Sequence, residues 1–273
     1  MLEIIKYILL GIIQGVSEVF PVSSSGHLTI FSHVFKTFDP TVLTTFLMIT
    51  NLGSFIALLI FFRKEVVLLV QNFFSFTFNR EKRQDLLVKE NFLYVWKLVI
   101  AVIPIGIVGL LLEKYLPTDL IAVGVALLVT ATLLFVVYLL RNKQFSEEIT
   151  WKNAMVIGLF QMTAIMPGIS RSGITLIGGL SRKIEIKKVL RFSFLSYLMI
   201  SVPVSIKGII DSLTNSESIN ILGYSLAFFF SFLATYITVK VLYNLVKVKN
   251  LIYFSIYCFF MGGFAIVFHL LSN

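Results

Sequence analysis

Six long apolar segments dominate the pattern of the chain. They cover roughly residues 41–62, 93–112, 120–140, 192–210, 221–243 and 251–271. Because a helix that crosses a membrane needs about 20 apolar residues, this pattern predicts six transmembrane helices. Two further apolar stretches, 4–35 and 153–181, are interrupted by Pro, Gly and Ser clusters and carry polar residues where lipid would reject them. Each is predicted to be a helix, a broken tip and a second helix.

The composition is that of an integral membrane protein. Hydrophobic residues make up 58% of the chain and charged residues 14%, against roughly 45–50% and about 25% in soluble domains. These values exclude a soluble enzyme, a disordered tail, a nucleic-acid module and a disulfide scaffold. The net charge of +9 therefore indicates basic cytoplasmic loops, and we expect no nucleic-acid partner.

The basic residues predict the orientation of the spans. Of the 23 Lys and Arg residues, 18 lie in four connecting segments, 63–97, 141–152, 182–191 and 240–249. The positive-inside rule places these segments in the cytoplasm, and the complementary segments 36–40, 113–119 and 211–220 outside. Since 141–152 and 182–191 are both cytoplasmic, the stretch between them must enter the membrane and return to the same side.

A short internal repeat links the two interrupted stretches. The order Gly, Gln, Pro, Ser, Ser, Gly occurs at positions 11, 14, 21, 23, 25 and 26, and again at 158, 161, 167, 170, 172 and 173. Each copy is followed by three spans, so the copies are predicted to be inserted upside down relative to each other. The predicted fold is an all-α polytopic membrane protein, with six transmembrane helices plus two re-entrant helix hairpins in an inverted-topology repeat. It forms a single membrane domain, 1–273, with repeats at approximately 1–140 and 153–273.

Ionisable side chains in the broken tips are the candidate chemical groups. Glu18, His27 and Arg171 lie inside apolar segments, where such groups are costly without partners and mark functional sites. Arginine matches phosphate oxygens and helix N-termini bind anions, so two helix starts beside Arg171 would hold an anion such as a diphosphate. This hypothesis requires Glu18 and Arg171 to face each other.

The spacing leaves several roles open. Ser24 and His27 are three residues apart, which allows a hydroxyl nucleophile beside a base, or a histidine that itself attacks or protonates. Glu18 could orient the histidine, act as the base or help to hold a divalent cation. For Ser23 and Ser25, helix capping or packing is the favoured interpretation.

Both tips resemble the signatures of a known family. The run Gln14-x-x-x-Glu18, followed by Pro21-Val-Ser-Ser-Ser-Gly-His27, is similar to the first signature of bacterial undecaprenyl pyrophosphate phosphatase, the bacitracin-resistance protein. The run Pro167-Gly-Ile-Ser-Arg-Ser-Gly-Ile-Thr175 is similar to the second. Departures from the family pattern include Ser25 in place of a common threonine and Asn51 in place of a glutamine, and no ionisable group is lost.

The resemblance implies hydrolysis of undecaprenyl diphosphate to undecaprenyl phosphate and inorganic phosphate, recycling the lipid carrier for cell-wall synthesis. It implies a site that faces the outside or periplasm in a bacterial plasma (inner) membrane, and stimulation by Mg or Ca, with Glu18 as the candidate ligand and no organic cofactor. The alternative function is a polyprenyl-phosphate transporter or flippase, because inverted repeats with broken helices are typical of transporters. The expected partners are the lipid substrate and the bilayer, and the sequence does not indicate an oligomeric state. The implied catalytic residues are Glu18, Ser24, His27 and Arg171, and the implied substrate-binding residues are Gln14, Ser170, Ser172 and Thr175.

Overall fold

Eleven α-helices make up nearly all of the computed structural model, which describes residues 2–35, 40–112, 115–214 and 220–272. No β-strand occurs in these ranges, and one isolated bridge joins Glu147 to Ile184. Short 3-10 turns lie at Glu81–Gln84, Met162–Ile165 and Val248–Asn250. The helices are α1 (Leu2–Val19), α2 (Ser24–Phe35), α3 (Pro40–Phe61), α4 (Arg63–Phe78), α5 (Leu86–Leu112), α6 (Leu120–Leu139), α7 (Trp151–Gln161), α8 (Arg171–Ser181), α9 (Ile186–Thr214), α10 (Ile221–Leu245) and α11 (Leu251–Ser272).

The six predicted spans are confirmed as helices that are long and apolar enough to cross a membrane. They correspond to α3, α5, α6, α9, α10 and α11. Helices α5 and α9 begin seven and six residues before the predicted segments. Their first turns carry charged residues such as Lys89 and Lys187, so hydropathy marks where the apolar segment begins, whereas the helix itself starts earlier. Within the predicted external segments 36–40, 113–119 and 211–220, residues 36–39, 113–114 and 215–219 lie outside the described residues.

Helix α4 is an element that the sequence analysis did not identify. It begins at Arg63, directly after α3, and packs against α5. With 16 residues it is too short to count among the candidate spans, and its first turn carries the charged run Arg63-Lys64-Glu65. Glu65 is tied to Arg191 of α9, with 2.8 Å between Glu65 Oε2 and Arg191 Nε.

Both interrupted stretches have the predicted succession of helix, break and helix. In the first, α1 ends at Val19 and α2 begins at Ser24, with Pro21 between them. In the second, α7 ends at Gln161 and α8 begins at Arg171. Proline cannot donate the backbone hydrogen bond that a continuous helix requires, and Ser170 caps α8 by accepting from Gly173 N at 3.1 Å.

Glycines allow three helix pairs to approach closely. A Cβ atom on Gly11 of α1 would lie 2.5 Å from Ala227 O of α10, and one on Gly158 of α7 would lie 2.7 Å from Ala101 O of α5. In the third pair, α6 and α11, a Cβ on Gly124 would lie 2.9 Å from Gly262 O. Small residues at such crossings permit the tight backbone packing that holds helices together in lipid.

Helix α8 is enclosed by the rest of the protein. Every residue from 172 to 180 is buried, and the largest buried cluster forms around α8 and the first half of α9. The polar residues at the start of α8 are therefore shielded from lipid, as irregular or polar backbone at membrane depth must be.

Candidate functional site

A cavity of about 230 Å³ lies between the two breaks. Its walls come from both broken stretches and from α3, α5 and α9. The lining is unusually rich in hydroxyl groups for the interior of an apolar helix bundle. Its polar members are Ser17, Glu18, Ser23, Ser24, Ser25, Asn51, Ser170, Arg171, Ser172, Tyr197, Ser201 and Ser205.

Glu18 is the centre of the polar contacts in this cavity. Its side chain is buried, and its Oε1 forms an ion pair with Arg171 Nη2. Its Oε2 accepts a hydrogen bond from Ser24 Oγ at 2.6 Å and another from Gln14 Nε2 at 3.0 Å. The required meeting of Glu18 and Arg171 is thus confirmed, and the carboxylate is satisfied by three donors from α1, α2 and α8.

Arg171 is the first residue of α8 and reaches back across the gap between the two breaks. Its Cζ lies 3.8 Å from the centroid of the Tyr197 ring on α9, a cation–π contact that fixes the plane of the guanidinium. The Arg171 side chain stays 21% exposed, against 3% for Glu18. Part of the guanidinium therefore faces the cavity, where an anion could bind.

Two helix N-termini are directed at the same space. Ser23 and Ser170 precede α2 and α8, and each accepts from a glycine amide one turn on, at 3.3 and 3.1 Å. Ser172 Oγ donates to Phe20 O at 3.2 Å, which joins the second break to the first. Free N–H groups and the positive ends of the helix dipoles favour an anion here.

Three candidate residues, His27, Thr175 and Gln14, do not line the cavity. His27 is 1% exposed and is not among the lining residues. Its Nδ1 lies 2.7 Å from Ser23 O and its Nε2 lies 2.8 Å from Tyr257 Oη. Thr175 Oγ1 contacts Arg171 O at 2.9 Å and the hydroxyl of Ser193, and so packs α8 onto α9.

The hydroxyl–base pair of Ser24 and His27 that the spacing allows is therefore not formed in this structure. Ser24 is the first residue of α2, so its side chain turns back towards α1 and Glu18. His27, one turn later, faces α11. Gln14, also a candidate, lies behind Glu18, where its Nε2 additionally donates to Asn51 Oδ1 at 3.0 Å.

The sequence analysis missed the contribution of α9. Tyr197, Ser201 and Ser205 line the cavity, and Tyr197 carries the aromatic face under Arg171. A signal was present: Ser193, Ser196, Tyr197 and Ser201 are polar residues inside a segment otherwise apolar enough to span a membrane.

The donor set can be tested against a divalent cation. Within the described residues there is no group of three or more His, Cys, Asp or Glu side chains able to hold a metal ion. Glu18 is the one carboxylate among the residues that line the cavity. Mg²⁺ commonly binds through one or two carboxylates together with substrate phosphates. The site thus fits a cation that is shared with a bound phosphate, and does not fit a cage made by the protein alone.

These features define a class: an all-helical membrane protein with a buried, anion-attracting cavity where two broken helices meet. Comparison with known proteins gives the family. The family described as "Bacitracin resistance protein BacA" matches residues 7–264. This chain belongs to that family.

Curated relatives match over nearly the whole chain. A protein of Acholeplasma laidlawii named "Undecaprenyl-diphosphatase" is 57% identical over 273 residues, which is 99% of each chain. One of Oceanobacillus iheyensis with the same name is 35% identical over 271 residues, covering 97% of this chain and 96% of the relative. "Undecaprenyl-diphosphatase 1" of Bacillus licheniformis is 36% identical, covering 98% of each.

Proposed function

We propose that the protein hydrolyses undecaprenyl diphosphate to undecaprenyl phosphate and inorganic phosphate. The family and the names of full-length relatives support this activity. The observation that best supports this activity is the position of the Glu18 carboxylate. It is bound by the Ser24 hydroxyl and the Arg171 guanidinium, which lie at the N-termini of α2 and α8. The names of the relatives give no support to the transporter alternative.

Arg171 and the helix N-termini would bind the diphosphate. Arginine presents a planar fork of donors that matches phosphate oxygens, and charge-assisted hydrogen bonds of this type are about twice as strong as neutral ones. A diphosphate entering the cavity would compete with Glu18 for Arg171. As the guanidinium turns to the phosphate, the Glu18 carboxylate keeps its hydrogen bonds from Ser24 and Gln14.

Ser24 is the proposed nucleophile, and Glu18 its general base. The 2.6 Å contact between Ser24 Oγ and Glu18 Oε2 is the arrangement expected of an activated hydroxyl, with the base held by Gln14. The Ser24 oxygen would attack the terminal phosphorus while its proton passes to Glu18. The bond to the bridging oxygen breaks, undecaprenyl phosphate leaves, and water then releases phosphate from the serine ester. Phosphoryl transfer of this kind depends mainly on positioning and charge neutralisation.

Glu18 would also be the protein ligand of a divalent cation. Such an ion, when bound, neutralises charge on the phosphate oxygens. Ser24 and Ser23 hydroxyls lie on the same wall as Glu18 and would orient the phosphate beside it.

The proposed topology is the inverted repeat, with α1–α2 entering from outside and α7–α8 from the cytoplasm. It is supported by matched packing, since α1 lies on α10 as α7 lies on α5. It is also supported by the lining of the cavity. All lining residues of α3, α5 and α9 lie in the halves of those spans that are remote from the basic segments. The positive-inside rule then directs the cavity to the outer face of the membrane.

The test is phosphate release from undecaprenyl diphosphate by the purified protein in detergent, with and without chelator. Ser24→Ala should lose at least about two orders of magnitude in kcat, because the attacking group is removed. Ser25→Ala alters the next residue on the same wall and should lose less than about fivefold, the effect of one neutral hydrogen bond.

Mass spectrometry of rapidly quenched enzyme should place a phosphoryl group on Ser24. Release by Ser24→Ala at the unmodified rate would remove Ser24 from the mechanism. Headgroup translocation in liposomes without any phosphate release by the unmodified protein would contradict the hydrolytic function.

A further inference from the structure

His27 lies in the first turn of α2, directly after the first break, and is turned away from the cavity. Both of its ring nitrogens have partners, Ser23 O on one side and Tyr257 Oη of α11 on the other. The ring planes of His27 and Tyr257 are parallel to within 6°, with 5.3 Å between the ring centroids. A side chain that is 1% exposed and bonded at both nitrogens is arranged to hold structure in place.

His27 binds the backbone carbonyl of Ser23, a residue in a strained conformation. Ser23 has φ of +71°, a left-handed conformation that is uncommon for residues other than glycine and that persists only when the surroundings enforce it. Ser23 O receives hydrogen bonds from His27 N at 3.2 Å and from His27 Nδ1 at 2.7 Å. The next residue, Ser24, is thereby directed at Glu18.

The second break also contains a left-handed residue, but it is stabilised in a different way. Its left-handed residue is Gly168, with φ of +97°, where no Cβ opposes the conformation. Thr130 of α6 fastens it by donating to Gly168 O at 3.2 Å and accepting from Ser170 N at 3.3 Å. Each break is therefore tied to a neighbouring long helix, through Thr130 in one case and Tyr257 in the other.

The partners define the state of the imidazole. A backbone carbonyl only accepts hydrogen bonds, so His27 Nδ1 carries a hydrogen, and in the neutral imidazole Nε2 is the acceptor. Tyr257 must then donate its hydroxyl hydrogen to Nε2. The chain of donors runs from Tyr257 through His27 to Ser23 O.

We propose that Tyr257 and His27 are positioning residues that hold the strained Ser23 carbonyl and so direct Ser24 at Glu18. In this proposal, which rests on the proposed diphosphatase function, His27 transfers no proton during the reaction. Tyr257 becomes a determinant of the reaction rate although it lies on α11, outside the cavity.

Two amide substitutions separate positioning from proton transfer. His27→Asn places an N–H donor where Nδ1 was, and His27→Gln places one where Nε2 was; neither amide titrates. We expect His27→Asn to keep kcat at least about tenfold above that of His27→Gln, with KM and the pH dependence of kcat as in the unmodified protein. Equal loss in both variants, with a limb of the pH profile missing, would overturn the proposal.

Tyr257→Phe removes the hydroxyl group that forms the hydrogen bond with His27 Nε2. We expect kcat to fall about fivefold, the effect of one lost hydrogen bond, with KM unchanged. In a His27→Asn background the same change should have no further effect. Tyr253→Phe, on the more exposed neighbouring turn of α11, is the matched control and should retain full activity. A kcat for Tyr257→Phe equal to that of the control would refute the role.

Hydrogen exchange gives a readout that does not depend on the reaction. Amides of Gly26 and His27, in the first turn of α2, should exchange several-fold faster in Tyr257→Phe than in Tyr253→Phe. If the unmodified protein releases no phosphate but this difference appears, the proposed function fails while the positioning contact stands. If phosphate is released and exchange is unchanged, the positioning proposal fails alone.

Discussion

Breaking the Glu18–Arg171 ion pair should affect stability and activity in ways that can be separated. The change we consider is Arg171→Met, which keeps an extended apolar stem and removes the charge, measured alone and together with Glu18→Gln. Glu18 is 3% exposed in its side chain and Arg171 is 21% exposed. Removing one partner of a buried pair costs about 3–5 kcal/mol, because the other charge is left uncompensated.

The lower end of that range applies here. Glu18 keeps two donors, Ser24 and Gln14, when the arginine is removed, so we expect about 3 kcal/mol for Arg171→Met. At about 2–4 °C per kcal/mol for a chain of roughly this size, the midpoint of thermal unfolding should fall by roughly 6–12 °C. In the Glu18→Gln background no buried charge is left, and the same substitution should cost less by about 1–3 kcal/mol.

The assay is thermal unfolding of the four proteins in one detergent, paired with phosphate release. Arg171→Met alone should lose at least about 100-fold in kcat, because the phosphate loses its charged donor. Stability costs that add within about 0.5 kcal/mol would show that the two groups do not interact. That result would remove the basis for placing the two breaks in one site.

Two further substitutions test the surroundings of the pair. Tyr197→Leu removes the ring under Arg171 and should lower kcat/KM by about 3–30-fold, whereas Tyr197→Phe keeps the ring and should stay close to the unmodified protein; equal losses in phosphate release would contradict the cation–π role. Gly168→Ala adds a Cβ at φ of +97°, 2.5 Å from Val123 O, and should cost about 2–5 kcal/mol of stability by thermal unfolding. Gly263→Ala, where the added Cβ meets nothing within 4 Å, is the control and should be neutral or slightly stabilising.

The spans and the meeting of the two tips could be predicted because each depends on a large free-energy cost that can be recognised from a short stretch of sequence. A run of about 20 apolar residues has few stable environments other than lipid. A carboxylate such as Glu18 and a guanidinium such as Arg171 cannot stay unpaired at membrane depth. Pairing them requires the two interrupted stretches to come together, whatever the packing of the other helices.

The direction of His27 could not be predicted because it depends on one backbone angle. Three-residue spacing places Ser24 and His27 on neighbouring faces of a regular helix. The left-handed Ser23 instead starts α2 so that Ser24 turns to α1 and His27 to α11. Nothing in the local sequence marks a serine for positive φ, and the stabilising partner, Tyr257, lies 230 residues away.

The two similar motifs form an asymmetric site because they differ at one position. Ser23-Ser24-Ser25-Gly26 corresponds to Ser170-Arg171-Ser172-Gly173, so Ser24 and Arg171 occupy the same place, the first residue of a helix. Both bond to the single carboxylate of Glu18. A symmetric pair would give two hydroxyls without a cation, or two guanidiniums repelling each other with no hydroxyl to attack. In the proposed mechanism one copy supplies the hydroxyl and the carboxylate and the other supplies the positive charge, so that attack and charge neutralisation at one phosphate require both copies.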